Sequence, residues 1–238
     1  MNYAYFEDIN WGLLRLWGAR SGASILDVGC GYATTSQRLR ELGNRVTGIE
    51  SSSEAVAVAK NRIDEVVAAD LQDVSALGNR KFDCIIFADV LEHLPWPAAV
   101  LGEYLRFLAP EGSVIVSLPN VGLWSMRLSL MTGRFEYGDT GVLDRTHLRF
   151  FTRRSARRLI EEAGLTIERH TYNPGIVRPF VPIVKKLMRA QESGDPGAIL
   201  QSRPYRTYLK TLYPVERAMT ALWPGALAFQ MIFEARRP

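Results

Sequence analysis

Two glycines follow a short apolar run near the start of the chain, in the sequence LDVGCG at residues 26–31. Gly29 and Gly31 allow a tight turn and a close backbone approach to a ligand, and a helix after them presents amide groups to that ligand. Thr34 stands where a dinucleotide site has a third glycine or alanine, and Asp27 would repel a phosphate at close range. The loop therefore favours a ligand without a pyrophosphate.

Two further carboxylates stand at the ends of the next two predicted strands. Glu50 lies 19 residues after Gly31, where a carboxylate can accept hydrogen bonds from both hydroxyls of a ribose. Asp70 can meet an amino group of a base while Leu71 packs against the ring. Each acid also has a simpler interpretation: Glu50 as a charge at a helix N-terminus, and Asp70 as an ordinary strand-end residue.

Residues able to accept a proton follow the fourth predicted strand. Asp89, Glu92 and His93 are grouped there, and His147 lies in a later loop, in the sequence THLRFF. A histidine suits general-base chemistry because its pKa lies near neutrality. Packing in the pocket wall is the alternative interpretation of His93, and loop anchoring that of His147. Because Glu92 and His93 are adjacent rather than one helical turn apart, their spacing predicts no metal site.

Apolar runs typical of strands alternate along the chain with patterns typical of helices, and these predicted elements must position the residues named above. The predicted strands lie at residues 24–28, 45–49, 65–69, 82–88, 113–118, 165–171 and 226–236. The predicted helices lie at residues 34–42, 53–60, 97–108 and 152–163. Such alternation implies a doubly wound, mostly parallel α/β sheet that binds ligands at the carboxyl ends of its strands.

The chain is predicted to be a single domain over residues 1–238. A helical segment is expected at residues 1–22, and a helical insertion or lid at residues 176–223 before the last strand. Residues 218–233 are almost uncharged, but they are too few to span a bilayer and Pro224-Gly225 interrupts them. A buried final strand is therefore predicted there.

The composition, 47% hydrophobic and 23% charged over 238 residues, is that of a soluble globular domain and excludes disorder and coiled coil. Cys30 and Cys84 show no disulfide or metal spacing, and the N-terminus lacks a secretory pattern, so a cytoplasmic protein is expected.

The net charge of +4 combines −3 in residues 1–168 with +7 in residues 169–238. That basic, aromatic-rich tail suits an anionic membrane surface or substrate, or is a solvated face.

The ordered series of motifs resembles class I S-adenosylmethionine-dependent methyltransferases. It consists of ILDVGCG (25–31), VTGIE (46–50), AAD (68–70), FDCIIFADVLEHL (82–94) and LAPEGSVIVSLPN (108–120). The resemblance implies a seven-stranded Rossmann-like sheet with an antiparallel last strand, and S-adenosylmethionine as cofactor. The cofactor-binding residues it implies are Asp27, Gly29, Gly31, Glu50, Asp70, Leu71 and Asp89, with His147 or His93 as the catalytic base.

The segment from Ser117 to Thr152 is similar to bacterial methyltransferases of cell-surface glycans or lipids, and its SLPN-to-Trp part resembles the MetW group. The resemblance implies methyl transfer to an oxygen or nitrogen of a small molecule, with an anionic or lipid-linked acceptor as one candidate. A non-catalytic partner protein of the MetW type is the alternative function. A nicotinamide-dependent oxidoreductase is a third reading, against which the missing third glycine counts.

Two basic regions suggest contact surfaces. Six arginines predict an anion-binding rim or a solvated helix face: Arg145, Arg149, Arg153, Arg154, Arg157 and Arg158. Nucleic acid is not expected, because residues 1–168 are net acidic and no stacking-aromatic motif accompanies the cluster. The insertion at residues 176–223 is predicted to form an acceptor rim, a peripheral contact with anionic lipid, or a homodimer surface.

Overall fold

The structure, a computed structural model, describes residues 9–177 and 203–238. Its strands are β1 (Ser24–Val28), β2 (Arg45–Glu50), β3 (Glu65–Ala68), β4 (Phe82–Ala88), β5 (Leu108–Pro119), β6 (Thr166–Pro174) and β7 (Ala228–Arg236). Its α-helices are α1 (Trp11–Trp17), α2 (Thr34–Glu41), α3 (Ser53–Ala59), α4 (Pro97–Tyr104), α5 (Trp124–Met131), α6 (Arg153–Glu162), α7 (Arg203–Leu222) and α8 (Pro224–Leu227).

The seven strands form one sheet in the order β3-β2-β1-β4-β5-β7-β6. β1 to β5 pair in parallel, and β7 is antiparallel to both of its neighbours, β5 and β6. The predicted doubly wound, seven-stranded, mostly parallel sheet is therefore confirmed. The strand order reverses at β1 and β4, where a parallel sheet opens a crevice for ligands at its carboxyl edge.

Two hydrophobic cores cover the two faces of the sheet. Along β4, Ile85 and Phe87 belong to one core, together with residues of α4 and α6, whereas Cys84 and Ile86 belong to the other, together with residues of α1, α2 and α3. Tyr104 of α4 packs edge-on against Phe87, with ring centroids 5.3 Å apart. Because both faces of β4 are covered, its sequence is a continuous apolar run rather than an alternating one.

Side-chain caps fix where three of the helices begin. Asn10 caps α1 by accepting the Leu13 backbone N–H, and Ser52 caps α3 in the same way. Thr152 and Ser155 form a reciprocal capping box at the start of α6. These caps satisfy backbone donors that helix formation leaves unpaired, so each helix begins at a defined distance from the preceding strand or loop.

The sequence predictions were wrong at several boundaries. The strand predicted at residues 113–118 begins earlier, at Leu108, and β5 accommodates the extra residues through a register shift against β4. Of the helical segment predicted at residues 1–22, the described residues from 9 onward contain helix α1 (Trp11–Trp17), and residues 1–8 lie outside the described residues. α5 was not predicted, because it buries none of its residues and so carries no apolar periodicity.

The predicted insertion at residues 176–223 falls partly on residues 178–202, which lie outside the described residues. Its described C-terminal part forms the 20-residue helix α7. Within residues 9–177 and 203–238, no helix combines the length and the apolar character that crossing a bilayer requires. The expected lipid contact and homodimer surface of this segment stay predictions.

Candidate active site at the carboxyl edge of the sheet

The glycine loop after β1 packs closely against two side chains that follow the ends of β3 and β4. Gly29 and Gly31 have φ angles of 67° and 52°, in the left-handed region that glycine occupies without strain. A Cβ atom on Gly29 would lie 2.7 Å from Val90 Cγ2 and 3.5 Å from Leu71 Cδ1. We call Gly29, Leu71 and Val90 the glycine cradle. Only glycine fits at its base, because a methyl group there would displace Val90.

Glu50 ends β2 beside this loop and is 4% exposed. One carboxylate oxygen accepts the Gly31 backbone N–H at 3.0 Å. The other accepts the backbone N–H groups of Ser51 and Ser52, each at 2.8 Å. These bonds hold the carboxylate in one orientation at the carboxyl ends of β1 and β2. A negative charge held there favours a ligand that presents hydroxyl donors or a positive charge.

Asp27 lies in β1 directly before the loop and is 6% exposed. Its carboxyl group accepts the Ser36 hydroxyl at 2.6 Å. Burial raises the pKa of Asp27 to about 7; the Ser36 bond opposes this, and the nearby charge of Glu50 adds to it. Glu50 and the ionised fraction of Asp27 thus give the pocket a negative charge, which disfavours a phosphate and favours a cation.

The raised pKa of Asp27 makes folding stability depend on pH. An aspartate with a pKa near 3.8 when unfolded and about 7 when folded stabilises the fold fully below pH 3.8 and loses that contribution as the pH rises to 7. Asp27→Asn keeps the acceptor for Ser36 but cannot ionise. The free energy of unfolding of the variant, measured with urea, should therefore gain up to about 4 kcal/mol relative to the wild type between pH 4 and pH 8.

The matched control for that measurement is Asp83→Asn, which neutralises an exposed aspartate on β4. We expect no comparable pH-dependent gain there. A difference between the Asp27→Asn and wild-type proteins that stays constant from pH 4 to pH 8 would contradict the assignment.

Asp70 and Leu71 follow β3 and differ in their surroundings. Asp70 is exposed, and its carboxylate accepts the Gln72 backbone N–H at 2.8 Å. Leu71 reaches the glycine cradle, and its carbonyl oxygen accepts the Tyr104 hydroxyl at 2.8 Å. The structure therefore brings Leu71 to the loop and leaves Asp70 at the rim.

Asp89 follows β4 in a left-handed conformation, with a φ of 56°, which is uncommon for a residue other than glycine. Its carboxylate accepts the Ser117 hydroxyl at 3.3 Å and the Gln230 side-chain amide at 2.5 Å. Asn10 closes a ring of hydrogen bonds by donating to Ser117 and accepting from Asn173, which in turn donates to Gln230. Asp89 thereby ties β5, β6, β7 and the start of α1 together beside the site.

Glu92, His93 and His147 form a compact cluster next to the glycine cradle. One potential ligand atom from each residue lies within 4.8 Å of the others. Glu92 Oε1 and His147 Nε2 are 3.9 Å apart, and the two imidazole centroids are 4.8 Å apart. Glu92 and His93 lie on the 3-10 turn Leu91–His93, directly after the cradle residue Val90. The cluster therefore lies at the same carboxyl edge as the glycine loop.

Backbone hydrogen bonds bring His147 to this turn across 54 residues of sequence. The Glu92 carbonyl oxygen accepts the backbone N–H groups of Leu148 and Arg149 at 2.8 and 3.0 Å. The Arg149 guanidinium also donates to the Pro95 carbonyl oxygen at 2.8 Å. The adjacent positions of Glu92 and His93 could not reveal the cluster, because His147 joins it through a contact that is distant in sequence.

Burial controls the ionisation of the cluster. It raises the pKa of Glu92 well above its usual range, and the negative charge of Asp89 adds to the effect. Burial also lowers the pKa values of His93 and His147 below 6.5. Both imidazoles are therefore neutral near pH 7, which is the form able to accept a proton or to bind a metal ion.

An aromatic cluster, consisting of Phe135, Tyr137 and Phe150, lies against His147. The Phe150 ring centroid is 6.2 Å from that of His147, and it is 5.8 Å from Phe135 and 6.1 Å from Tyr137. Phe135 and Tyr137 are 42% and 49% exposed. Our sequence analysis did not single these residues out. Their exposed rings form an apolar wall next to the titratable cluster.

The six arginines of the predicted rim differ in their contacts. Arg145 pairs with Asp139 at 3.0 Å, and Arg149 is engaged with Pro95. The other four line open grooves along α6: Arg153, Arg154, Arg157 and Arg158. Arg157 also lies 3.5 Å from Glu161 one helical turn later, as expected for a solvated helix face.

Comparison with protein families gives one assignment over most of the chain. Residues 1–170 match a family described as a methyltransferase domain. A ubiquinone biosynthesis O-methyltransferase of Thiobacillus denitrificans is 30% identical over 167 residues, which cover 65% of this chain and 70% of that protein. One from Nitrosococcus oceani is 35% identical over 113 residues, covering 45% and 48%. The chain thus spans about half the length of several curated relatives that it matches.

Solved structures share the fold at low sequence identity. A magnesium protoporphyrin IX methyltransferase from Synechocystis, crystallised with S-adenosylhomocysteine, has a TM-score of 0.57 and 17% identity, covering 95% of this chain and 79% of that one. The [4+2]-cyclase SpnF has a TM-score of 0.59 and 20% identity, covering 99% and 86%. Because one of these proteins is named a cyclase, the fold alone does not decide the reaction.

Proposed function

The chain belongs to the methyltransferase domain family, and on this premise we propose that it is an S-adenosylmethionine-dependent O-methyltransferase of an aromatic small molecule. The observation that carries the proposal is the pair of buried acids, Asp27 and Glu50, beside the glycine cradle at the carboxyl edge of the sheet. The names of the relatives support oxygen as the methylated atom.

The chemistry of this pocket fits S-adenosylmethionine. Besides one carboxylate, that molecule presents a sulfonium, an ammonium group, two ribose hydroxyls and an adenine amine, which are cations or hydrogen-bond donors. Asp27 and Glu50 supply buried carboxylate acceptors, and Asp70 supplies one at the rim. Leu71 and Val90 offer an apolar surface to a base. A pyrophosphate would meet the same acids as like charges, which disfavours a nicotinamide cofactor.

When bound, S-adenosylmethionine supplies a methyl group whose bond to sulfur breaks as the acceptor oxygen forms its bond to that carbon. The chain has to align the acceptor, exclude water and receive the proton that the hydroxyl group loses. His147 and His93 are neutral near pH 7 and stand at the same edge as the cradle. We assign removal of this proton to the cluster of Glu92, His93 and His147.

The aromatic cluster supports the acceptor class. Phe135, Tyr137 and Phe150 present ring faces and edges beside His147, where an aromatic acceptor can pack with its hydroxyl towards the imidazole. Such a wall suits a phenolic ring better than a strongly hydrated glycan, because burying unpaired hydroxyls is costly.

The proposal is tested by calorimetric titration and by a transfer assay. We expect saturable binding of S-adenosylmethionine and no comparable binding of NAD. With methyl-labelled cofactor, label should pass to phenolic acceptors in preference to glycan and lipid-linked alcohols matched in concentration. Saturable NAD binding with no heat from S-adenosylmethionine would reject the cofactor assignment. Transfer to glycans in preference to phenols would reject the acceptor class.

A further inference from the structure

We infer that Glu92, His93 and His147 form a binding site for a divalent transition-metal ion of the Zn²⁺ type. The inference deepens the proposed function: the binding of the ion is independent of it, but the action of the ion on the acceptor hydroxyl rests on it. The ligand set is two imidazoles and one carboxylate, whose ligand atoms already lie within 4.8 Å of one another. Tetrahedral ligation at about 2.0–2.2 Å places ligand atoms about 3.3–3.6 Å apart, so small side-chain rotations would complete the site.

The strongest support is the state of the Glu92 carboxylate. Its side chain is 1% exposed, and neither oxygen has a hydrogen-bond partner among the described residues. A carboxyl group buried without a partner destabilises a fold, and native proteins rarely keep one without a use for it. A bound cation supplies the missing partner, since it neutralises the charge and occupies the oxygen lone pairs.

The two histidines are oriented as metal ligands are. His147 Nδ1 lies 3.1 Å from the Val142 carbonyl oxygen, and His93 Nδ1 lies 3.2 Å from the Thr146 carbonyl oxygen. The Thr146 hydroxyl oxygen is also 3.1 Å from His93 Nδ1, but it donates its hydrogen to Asp144 and so accepts from the imidazole. A carbonyl oxygen only accepts, so each Nδ1 carries the hydrogen and each Nε2 carries the lone pair. Metal-binding histidines commonly donate their other ring N–H to a carbonyl or carboxylate in this way, which fixes the ring and its tautomer.

Two acids near the cluster add negative charge. Asp89 stands three residues before Glu92, and Asp144 accepts both the backbone N–H and the hydroxyl of Thr146 at 2.8 and 2.6 Å. The Arg149 guanidinium points instead to the Pro95 carbonyl oxygen.

The types of ligand atom indicate which metal ion the site prefers and how that ion would act on the acceptor. Imidazole nitrogens suit Zn²⁺ and its neighbours better than Mg²⁺ or Ca²⁺, which prefer oxygen ligands alone. Three protein ligands leave a coordination position for the acceptor hydroxyl. The ion would make that hydroxyl more acidic, and its proton would pass to the Glu92 oxygen that the ion leaves free. The acceptor oxygen would then form its bond to the methyl carbon as the carbon–sulfur bond breaks, with the electrons of that bond remaining on sulfur.

The test uses the untagged full chain, stripped with a chelator and titrated with Zn²⁺ by calorimetry. We expect one ion per chain with a dissociation constant below about 10 μM, and Co²⁺ should give a visible absorption band of a nitrogen–oxygen site. Glu92→Gln and His147→Ala should each weaken Zn²⁺ binding at least about 100-fold. His170→Ala removes the third histidine of the chain, on β6 outside the cluster, and should leave the affinity unchanged.

Thermal melting of each variant without metal checks that the fold survives. Absence of Zn²⁺ and Co²⁺ binding by the folded wild type would overturn the inference, as would equal losses in the His147→Ala and His170→Ala proteins. Titration of the stripped chain with S-adenosylmethionine separates the two proposals. Cofactor binding without Zn²⁺ binding rejects the metal site alone. Zn²⁺ binding that depends on Glu92, without cofactor binding, supports the metal site and rejects the proposed function.

Discussion

Replacing His147 with alanine is expected to lower methyl-transfer turnover by about 10²–10⁴ while S-adenosylmethionine affinity stays within about twofold. The imidazole is 6% exposed and lies 3.9 Å from Glu92, and its Nδ1 is fixed by the Val142 carbonyl oxygen. It belongs to the part of the site that receives the acceptor's proton. The glycine cradle and Glu50 make none of their described contacts through it, so cofactor binding should persist.

Single-turnover rates and calorimetry on the same preparations measure the two quantities separately. His93→Ala should behave similarly, and His170→Ala should match the wild type in both. If the His147→Ala and His93→Ala proteins each retain full turnover from pH 6 to pH 9, neither histidine takes part in proton removal. Equal losses of turnover and cofactor affinity would instead indicate a general disturbance of the pocket.

The sheet was predictable from the sequence wherever one local signal was decisive. The run Phe82–Ala88 is apolar throughout because both cores bury it, and its predicted bounds agree with those of β4. The start of β5 was not predictable, because Pro110 and Gly112 signal a turn. The bulged pairing of Phe82 with Leu108 overrides that signal in the folded protein. Helix α5 was not predicted, because a helix with no buried residue has no apolar stripe in its sequence.

Some residues of the candidate site were likewise predictable from local sequence, and others were not. The positions of Gly29 and Glu50 follow from strand-end spacing, since the carboxyl ends of adjacent parallel strands meet at one edge. The contact between Glu92 and His147 depends on a loop that folds back through backbone bonds to Glu92, and no periodicity encodes it. The aromatic cluster around Phe150 was missed for the same reason.

Glu50→Ala is expected to weaken S-adenosylmethionine binding by about 1.5–3 kcal/mol, which is the contribution of a hydrogen bond to a charged group. This corresponds to an affinity loss of roughly 10–150-fold. The carboxylate is oriented by three backbone N–H groups, those of Gly31, Ser51 and Ser52, so it already faces the cradle edge when the ligand arrives. Such preorganisation lowers the entropic cost of binding, and alanine removes both the charge and its fixed direction.

Because those same bonds shape the loop, Glu50→Ala also removes structural contacts, and Glu50→Gln separates the two effects. Glutamine preserves the side chain's length and one acceptor oxygen, which can keep the bonds from Ser51 and Ser52, but its NH2 group cannot accept the Gly31 N–H and the negative charge is lost. We expect Glu50→Gln to melt above Glu50→Ala and to bind the cofactor at least about tenfold more weakly than the wild type. Glu54→Ala, which removes an exposed carboxylate from the adjacent helix α3, should bind normally. Wild-type affinity in a folded Glu50→Gln protein would show that the charge of Glu50 does not hold the ligand.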